Sequence, residues 1–138
     1  MLQRILIAYD GSPFAKRAFD VGLEMARLYK AEAVVLSVAQ MPEPAMIYEA
    51  TALLDEANAH YEKDFADLRA AARSAGVPLK TTVVIGHIAD LIVQQAIEER
   101  ADLIVMGHRG KSIIERWLLG SVSKRVISYA HCSVLVVR

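Results

Sequence analysis

Short apolar runs of strand length alternate along this chain with longer segments of helical period, and that alternation restricts the fold more than any other feature. The runs are Ile5–Tyr9, Val34–Ala39, Leu79–Ile85, Leu103–Met106 and Val134–Val137, rich in Val, Ile and Leu. Four are nearly unbroken, which suits strands covered on both faces, as in a parallel sheet. Leu79–Ile85 carries Lys80, Thr81 and Thr82 and reads as an edge strand. Between the runs, Ala15, Ala18, Phe19, Gly22, Met25, Ala26 and Tyr29 recur at three and four residues. Leu53, Leu54, Ala57, Tyr61, Phe65, Leu68 and Ala72 form a longer stripe that ends at Gly76. Shorter helices are expected at Ile88–Arg100, with Ile88, Leu91, Ile92, Ala96 and Ile97 inward, and at about Val122–Tyr129, with Val122, Val126 and Ile127 inward. The order β-α-β-α-β-α-β-α-β implies right-handed crossovers and an α/β, Rossmann-like fold: a doubly wound parallel sheet of five strands with helices on both faces.

A chain of 138 residues, 54% hydrophobic, has material for one core and therefore one domain. Sixteen Lys and Arg balance sixteen Asp and Glu, so no global field draws the protein to nucleic acid or to an anionic membrane. The charge is locally uneven. Residues 41–67 hold seven acids (Glu43, Glu49, Asp55, Glu56, Glu62, Asp64, Asp67) against Lys63, a net of −6, which reads most simply as a solvated helix face. Residues 103–138 hold Arg109, Lys111, Arg116, Lys124, Arg125 and Arg138 against Glu115, a net of +5. The single cysteine, Cys132, excludes an internal disulfide framework and reads as a small hydrophobe entering a strand. His60, His87, His108 and His131 share no metal-ligand spacing. No apolar run approaches the roughly 18 residues of a membrane span, and the opening MLQRILIAYDGSP reaches Asp10 before any small-residue cleavage site. A cytoplasmic protein is expected.

In such a sheet, ligands bind beyond the carboxyl ends of the strands, where neighbouring loops part. The first strand ends in Tyr9-Asp10-Gly11-Ser12-Pro13. Ser12 suits a helix N-cap and Pro13 the first helical position. Asp10 has two readings: it ties the turn's N–H groups together, or it accepts hydrogen bonds from ribose hydroxyls or holds a metal. The fourth strand ends in Met106-Gly107-His108-Arg109-Gly110-Lys111-Ser112, and Gly120-Ser121-Val122-Ser123 opens the last helix. Glycines serve turns; they also let a backbone approach a ligand, and the N–H groups at a helix start attract anions. Ser121 and Ser123 add hydroxyls, Arg109 or Lys111 adds charge, and His108 is a further candidate donor to phosphate. Trp117 with Leu118 and Leu119 reads as core rather than as a nucleotide cover. Two familiar phosphate loops are excluded. Position 105, where a Walker A glycine would precede Gly110-Lys111-Ser112, is Val105, and no G-x-G occurs for a dinucleotide fingerprint.

The spacing Gly107-x2-Gly110-x9-Gly120-Ser121, the Asp10-Gly11-Ser12 after the first strand, and the ending His131-Cys132-Ser133-Val134-Leu135-Val136-Val137 resemble the universal stress protein family, in its nucleotide-binding branch. The likeness spans the whole chain. It implies a sheet in the order 3-2-1-4-5, with ATP between the carboxyl ends of strands one and four. By that resemblance Asp10 meets the adenosine part and Val38 offers backbone atoms to adenine. Gly107, Gly110, Gly120, Ser121 and Val122 cradle the phosphates, with Arg109 and Ser123 as accessories. The sequence departs from the family at Ser133, where proline is frequent, and over Gln40–Pro44, so AMP, ADP or a cyclic nucleotide stays open beside ATP, with or without Mg2+.

Phosphoryl transfer needs an in-line nucleophile and metal ligands, and Asp10 is the one obvious carboxylate at the site. The sequence therefore points to a nucleotide-responsive switch read by a signalling partner it does not name. Slow hydrolysis, autophosphorylation on Ser112, Ser121 or Ser123, adenylyl transfer, and an adaptor role without nucleotide are the alternatives. An apolar edge at Val134–Val137 invites pairing with a second chain, and the resemblance likewise implies a homodimer through that strand.

Overall fold

The computed structural model describes residues 2–40, 47–109 and 119–138, with 47–49 as backbone alone. Its elements run β1 (Arg4–Ala8), α1 (Pro13–Tyr29), β2 (Glu32–Gln40), α2 (Ile47–Ala75), β3 (Leu79–Gly86), α3 (Ile88–Glu98), β4 (Leu103–Gly107), α4 (Ser121–Tyr129) and β5 (Ser133–Val137). All strand pairs are parallel, in the order β3-β2-β1-β4-β5, with β3 and β5 at the edges. The doubly wound sheet and the edge position of Leu79–Ile85 are as the sequence predicts. Several strands begin or end one or two residues outside their apolar runs, because ladder pairing needs backbone rather than apolar side chains. Arg4 opposite Glu32 is one such polar terminal pair. Among the described residues no helix is long and apolar enough to cross a membrane.

Strand alternation divides the core in two. Ile5, Ile7, Ala33, Val35, Leu103 and Val105 face α1 and α2, while Leu6, Val34, Leu36, Ile104 and Met106 face α3 and α4. Three residues expected to point inward do not: Tyr29, Ile97 and Ile127 are 52, 55 and 48% exposed. The buried stripe of α3 is Ala89, Ile92 and Ala96, and Ile97 stands about 100° round the helix from Ala96, past the contact with the sheet. Ile127 stands in the same relation to the buried Val126, and Tyr29 lies in the last turn of α1, beyond Ala26. In each case the residue is an apolar neighbour of the buried stripe and not part of it.

The feature that positions the site is the divergence of the chain at the centre of the sheet. The connection from β1 enters α1 on one face, whereas α4, the helix after β4, packs on the other. The two segments part there, which opens a crevice beyond the carboxyl ends of neighbouring strands. The start of α1 is fixed locally: the Ser12 hydroxyl oxygen accepts the Ala15 N–H at 3.1 Å, and Pro13 takes the first helical position.

Candidate functional site

A cavity of about 960 Å³ occupies that crevice, within the size range of small-molecule sites. Ala8, Leu36, Val38 and Met106 floor it, Ile88 and Ile92 of α3 close one side, and the first half of α2 closes the other. A depression of about 590 Å³ at the opposite end of the sheet, between Gln3, Arg4, Glu98, Arg100 and Asp102, is of a different kind. There the Asp102 carboxylate already accepts the N–H groups of Gln3 and Arg4 at 2.8 and 3.0 Å, bonds that hold its pKa below the usual carboxylate value. It serves as a clasp between β1 and β4.

At the β1 end of the crevice the polar groups are tightly placed. The buried Ser37 hydroxyl donates to the Tyr9 carbonyl at 2.6 Å, and the Tyr9 N–H donates to the Leu36 carbonyl at 2.9 Å. The Tyr9 hydroxyl donates to Asp64 Oδ2 at 2.6 Å, so its ring is pinned to α2. Burial, that hydrogen bond and the nearby carboxylates together push the Tyr9 phenol well above its ordinary pKa. Asp10 Oδ1 accepts the Ser12 N–H at 2.9 Å. The turn-tying reading of Asp10 is thus realised, and its other oxygen remains for the cavity that the residue lines. Val38 also lines it. Because the Leu36 carbonyl faces β1 and backbone direction alternates along a strand, the N–H and C=O of Val38 lie on the same side, beyond the last β1 partner.

At the β4 end, Gly107, Arg109, Gly120, Ser121, Val122 and Ser123 all border the cavity, and Gly110 lies outside the described residues. Gly107 is required by packing: a Cβ there would stand 2.7 Å from Phe14 Cβ and 2.9 Å from the Phe14 carbonyl carbon. Gly120 donates its N–H to the His108 carbonyl at 3.1 Å and is the N-cap of α4. Having no side chain, it leaves the first-turn N–H groups of Ser121, Val122 and Ser123 without a side-chain cap at the edge of the cavity. The Ser123 hydroxyl is engaged, donating to the Gly107 carbonyl at 3.1 Å and so lashing α4 to β4. Arg109 Nε is buried and has no hydrogen-bond partner among the described residues. Buried donors are nearly always paired, so an open Nε–H beside an uncapped helix start offers two donors of the kind that an anion accepts from.

His108 does not join this group. Its side chain is 2% exposed, packs near the Phe14 ring with centroids 6.2 Å apart, and is absent from the cavity wall. Burial, reinforced by Arg138 and Arg109, lowers its pKa, and its place behind Phe14, off the cavity wall, keeps the ring from a phosphate bound there. Leu119, expected in the core, instead lines the cavity, and Trp117 and Leu118 lie outside the described residues. Sequence reasoning missed the α2 wall of Leu53, Glu56, Ala57, His60 and Tyr61. The acidic stretch read as a solvated face sends Glu56 to the cavity and Asp64 to Tyr9.

Comparison with known proteins agrees with this fold. A universal stress protein of Thermus aquaticus is 39% identical over 140 residues, covering 100% of both chains. The solved structure of the universal stress protein UspA from Lactobacillus plantarum superposes with a TM-score of 0.85 at 27% identity, over 99% of this chain and 98% of that one. A universal stress protein solved in complex with cAMP has a TM-score of 0.77 at 27% identity, over 99% of this chain and 97% of its own. The family model for universal stress proteins matches residues 1–138, and the chain belongs to the universal stress protein family.

Proposed function

We propose that this protein binds ATP in the crevice between β1 and β4 and acts in the cytoplasm as a nucleotide-responsive switch. The observation that carries the reading is the buried Arg109 Nε, unpartnered among the described residues, beside the uncapped start of α4 and across the cavity from Asp10. The phosphates would lie on Gly107, Arg109, Gly120, Ser121, Val122 and Ser123, with Gly110 completing the cradle. Asp10 would take the ribose, and the Val38 backbone the adenine edge. The cAMP complex of a structural relative supports an adenine nucleotide as the ligand class. Mg2+ would arrive on the phosphates, since no group of three or more His, Cys, Asp or Glu gathers as a metal site among the described residues.

The switch has a path to the surface. Gly107 pairs with Val137 in the ladder, and the His108 N–H donates to the Val137 carbonyl at 2.7 Å. The chain that would wrap the phosphates therefore leaves β4 beside the end of edge strand β5. A homodimer formed by antiparallel pairing of Val134–Val137 about a twofold axis would cover that edge and let the partner copy, or a signalling protein, sense the loaded site. The test is to denature freshly purified protein, identify any released nucleotide by chromatography and mass, and sediment the native protein with and without ATP. ATP or ADP in the extract and a dimer at micromolar concentration are expected. No released nucleotide and no binding of added ATP would leave an adaptor that works by protein contact alone.

A further inference from the structure

The cavity is electrically divided along its length. Its carboxylates, Asp10 and Glu56, stand at the end made by β1, β2 and α2, whereas its cations, Arg109 and Lys124, stand at the end made by β4 and α4. The position of Glu56 follows from contacts deeper in the fold. Asp64 is held by the Tyr9 hydroxyl, and the Tyr61 ring packs on Tyr9 and Phe65, with centroids 6.4 and 5.7 Å away. Those contacts fix the rotation of α2. His60 and Glu56, four and eight residues before Asp64, lie on the same helix face, about 6 and 12 Å further along the axis, where they border the cavity. Glu56 is exposed and makes no ion pair with any described residue, so no described cation neutralises its charge.

We infer that Glu56, with Asp10, makes this site selective for adenine nucleotides that carry phosphate only on the 5′ position and keep the ribose 2′,3′-diol free. The inference rests on the nucleotide reading of the cavity and deepens it. A 5′-nucleotide lays its uncharged base and ribose toward the carboxylates and its phosphates on the cations. A 3′-phosphate brings the same charge to the acidic end, and a 3′,5′-cyclic phosphate ties it back over the sugar, short of α4. A carboxylate and a phosphate about 6 Å apart in a half-solvated cleft weaken binding by about tenfold. The free diol, in contrast, donates hydrogen bonds to those carboxylates.

The discriminating ligands are adenosine 5′-monophosphate and adenosine 3′-monophosphate, which share atoms and charge and differ only in where the phosphate sits. Calorimetric titration of the full chain at pH 8, where histidine is ordinarily neutral, is expected to show at least tenfold tighter binding of the 5′ isomer, with 3′,5′-cyclic AMP grouped with the 3′ isomer. In Glu56→Gln the 3′ isomer, relieved of the repulsion, binds more tightly while the 5′ isomer gains nothing, and the preference shrinks by threefold to tenfold. Thermal midpoints within about 2 °C of each other would show that the variant is folded. Equal affinity of the wild-type chain for the two isomers overturns the inference, as does a preference unchanged in Glu56→Gln; both outcomes leave the nucleotide site standing. Failure of the wild-type chain to bind either isomer or ATP removes the reading of the site, and this inference with it.

Discussion

Replacing Gly120 by Asp separates the stability of α4 from its capacity to hold phosphate. Gly120 has φ −64° and ψ 155°, an ordinary N-cap conformation open to any residue. A Cβ there would meet the His108 carbonyl oxygen at 3.2 Å, Arg109 Cα at 3.6 Å and Arg109 Cγ at 3.9 Å. The first contact is tight and costs up to about 1 kcal/mol. Against it, Asp is a better N-cap than Gly by a few tenths of a kcal/mol, and a negative charge at a helix start contributes about 0.3–1 kcal/mol more. The net change is within about 1 kcal/mol, or about 4 °C in Tm for a chain of this length. For the ligand the sign is unambiguous. The new carboxylate accepts the N–H of Val122 or Ser123 that phosphate would use, and stands about 5 Å from the phosphate charge. With an effective dielectric constant between ~40 and ~20, that repulsion is about 1.5–3 kcal/mol, so ATP affinity should fall at least about tenfold. Gly120→Ala carries the same Cβ without the charge and should lose less than about fivefold. The assay is calorimetric titration with ATP alongside thermal unfolding without ligand. Gly120→Asp binding ATP within threefold of wild type would refute phosphate at α4, and a Tm drop beyond about 8 °C would refute the capping argument.

Tyr9→Phe removes the donor to Asp64, a charge-assisted bond of ordinary value about 1.5–3 kcal/mol that is reduced here because water can reach the half-exposed Asp64. Urea unfolding should show a loss of about 1–1.5 kcal/mol, and an unchanged midpoint would count against the pinning of α2. Gly107→Ala drives a Cβ against the backbone of Phe14 and should cost about 2–3 kcal/mol, clearly more than Gly120→Ala; equal costs in the two variants would overturn that comparison. His108 has a folded pKa below its ordinary 6.5, so below about pH 6.5 the unfolded chain binds a proton that the folded chain does not. Stability should therefore fall as pH drops from 7.5 to 5, above the range in which Asp102 loses its own contribution. His108→Gln should show a shallower fall over that interval, even from a lower Tm at pH 7.5; identical slopes would sink the assignment.

What was legible in the sequence is what short-range chemistry decides. Alternating periods announce strands and helices, and Ser12-Pro13 announces the start of α1, because capping, proline geometry and strand burial act within a few residues. The alternation also implies a parallel sheet but not its strand order; that order came with the family resemblance. Local motifs likewise placed Asp10, Gly107 and Gly120 at one crevice, yet they did not say why the glycines are there. Gly107 owes its lack of a side chain to Phe14 in α1, and Gly120 abuts the His108 carbonyl, contacts that exist only once the sheet has formed. The histidine next to Gly107 looked like a phosphate ligand because adjacency in sequence suggests adjacency in space. Strand alternation would set His108 beside Met106, on the cavity floor, but β4 ends at Gly107, and beyond it the chain lays His108 against Phe14 and Arg109 at the cavity. The α2 wall was illegible for a related reason. A helix whose apolar stripe is Ala57, Tyr61, Phe65 and Ala72 has two polar flanks, and periodicity alone treats them as equivalent. The bond from Tyr9 to Asp64, spanning 55 positions, breaks that equivalence by turning one flank toward the end of β1. The proposed selectivity thus rests on a long-range contact that sets the rotation of α2, while the proposed phosphate cradle rests on a different set, between α1, the end of β4 and the start of α4. The two ends of one cavity can therefore change independently by substitution.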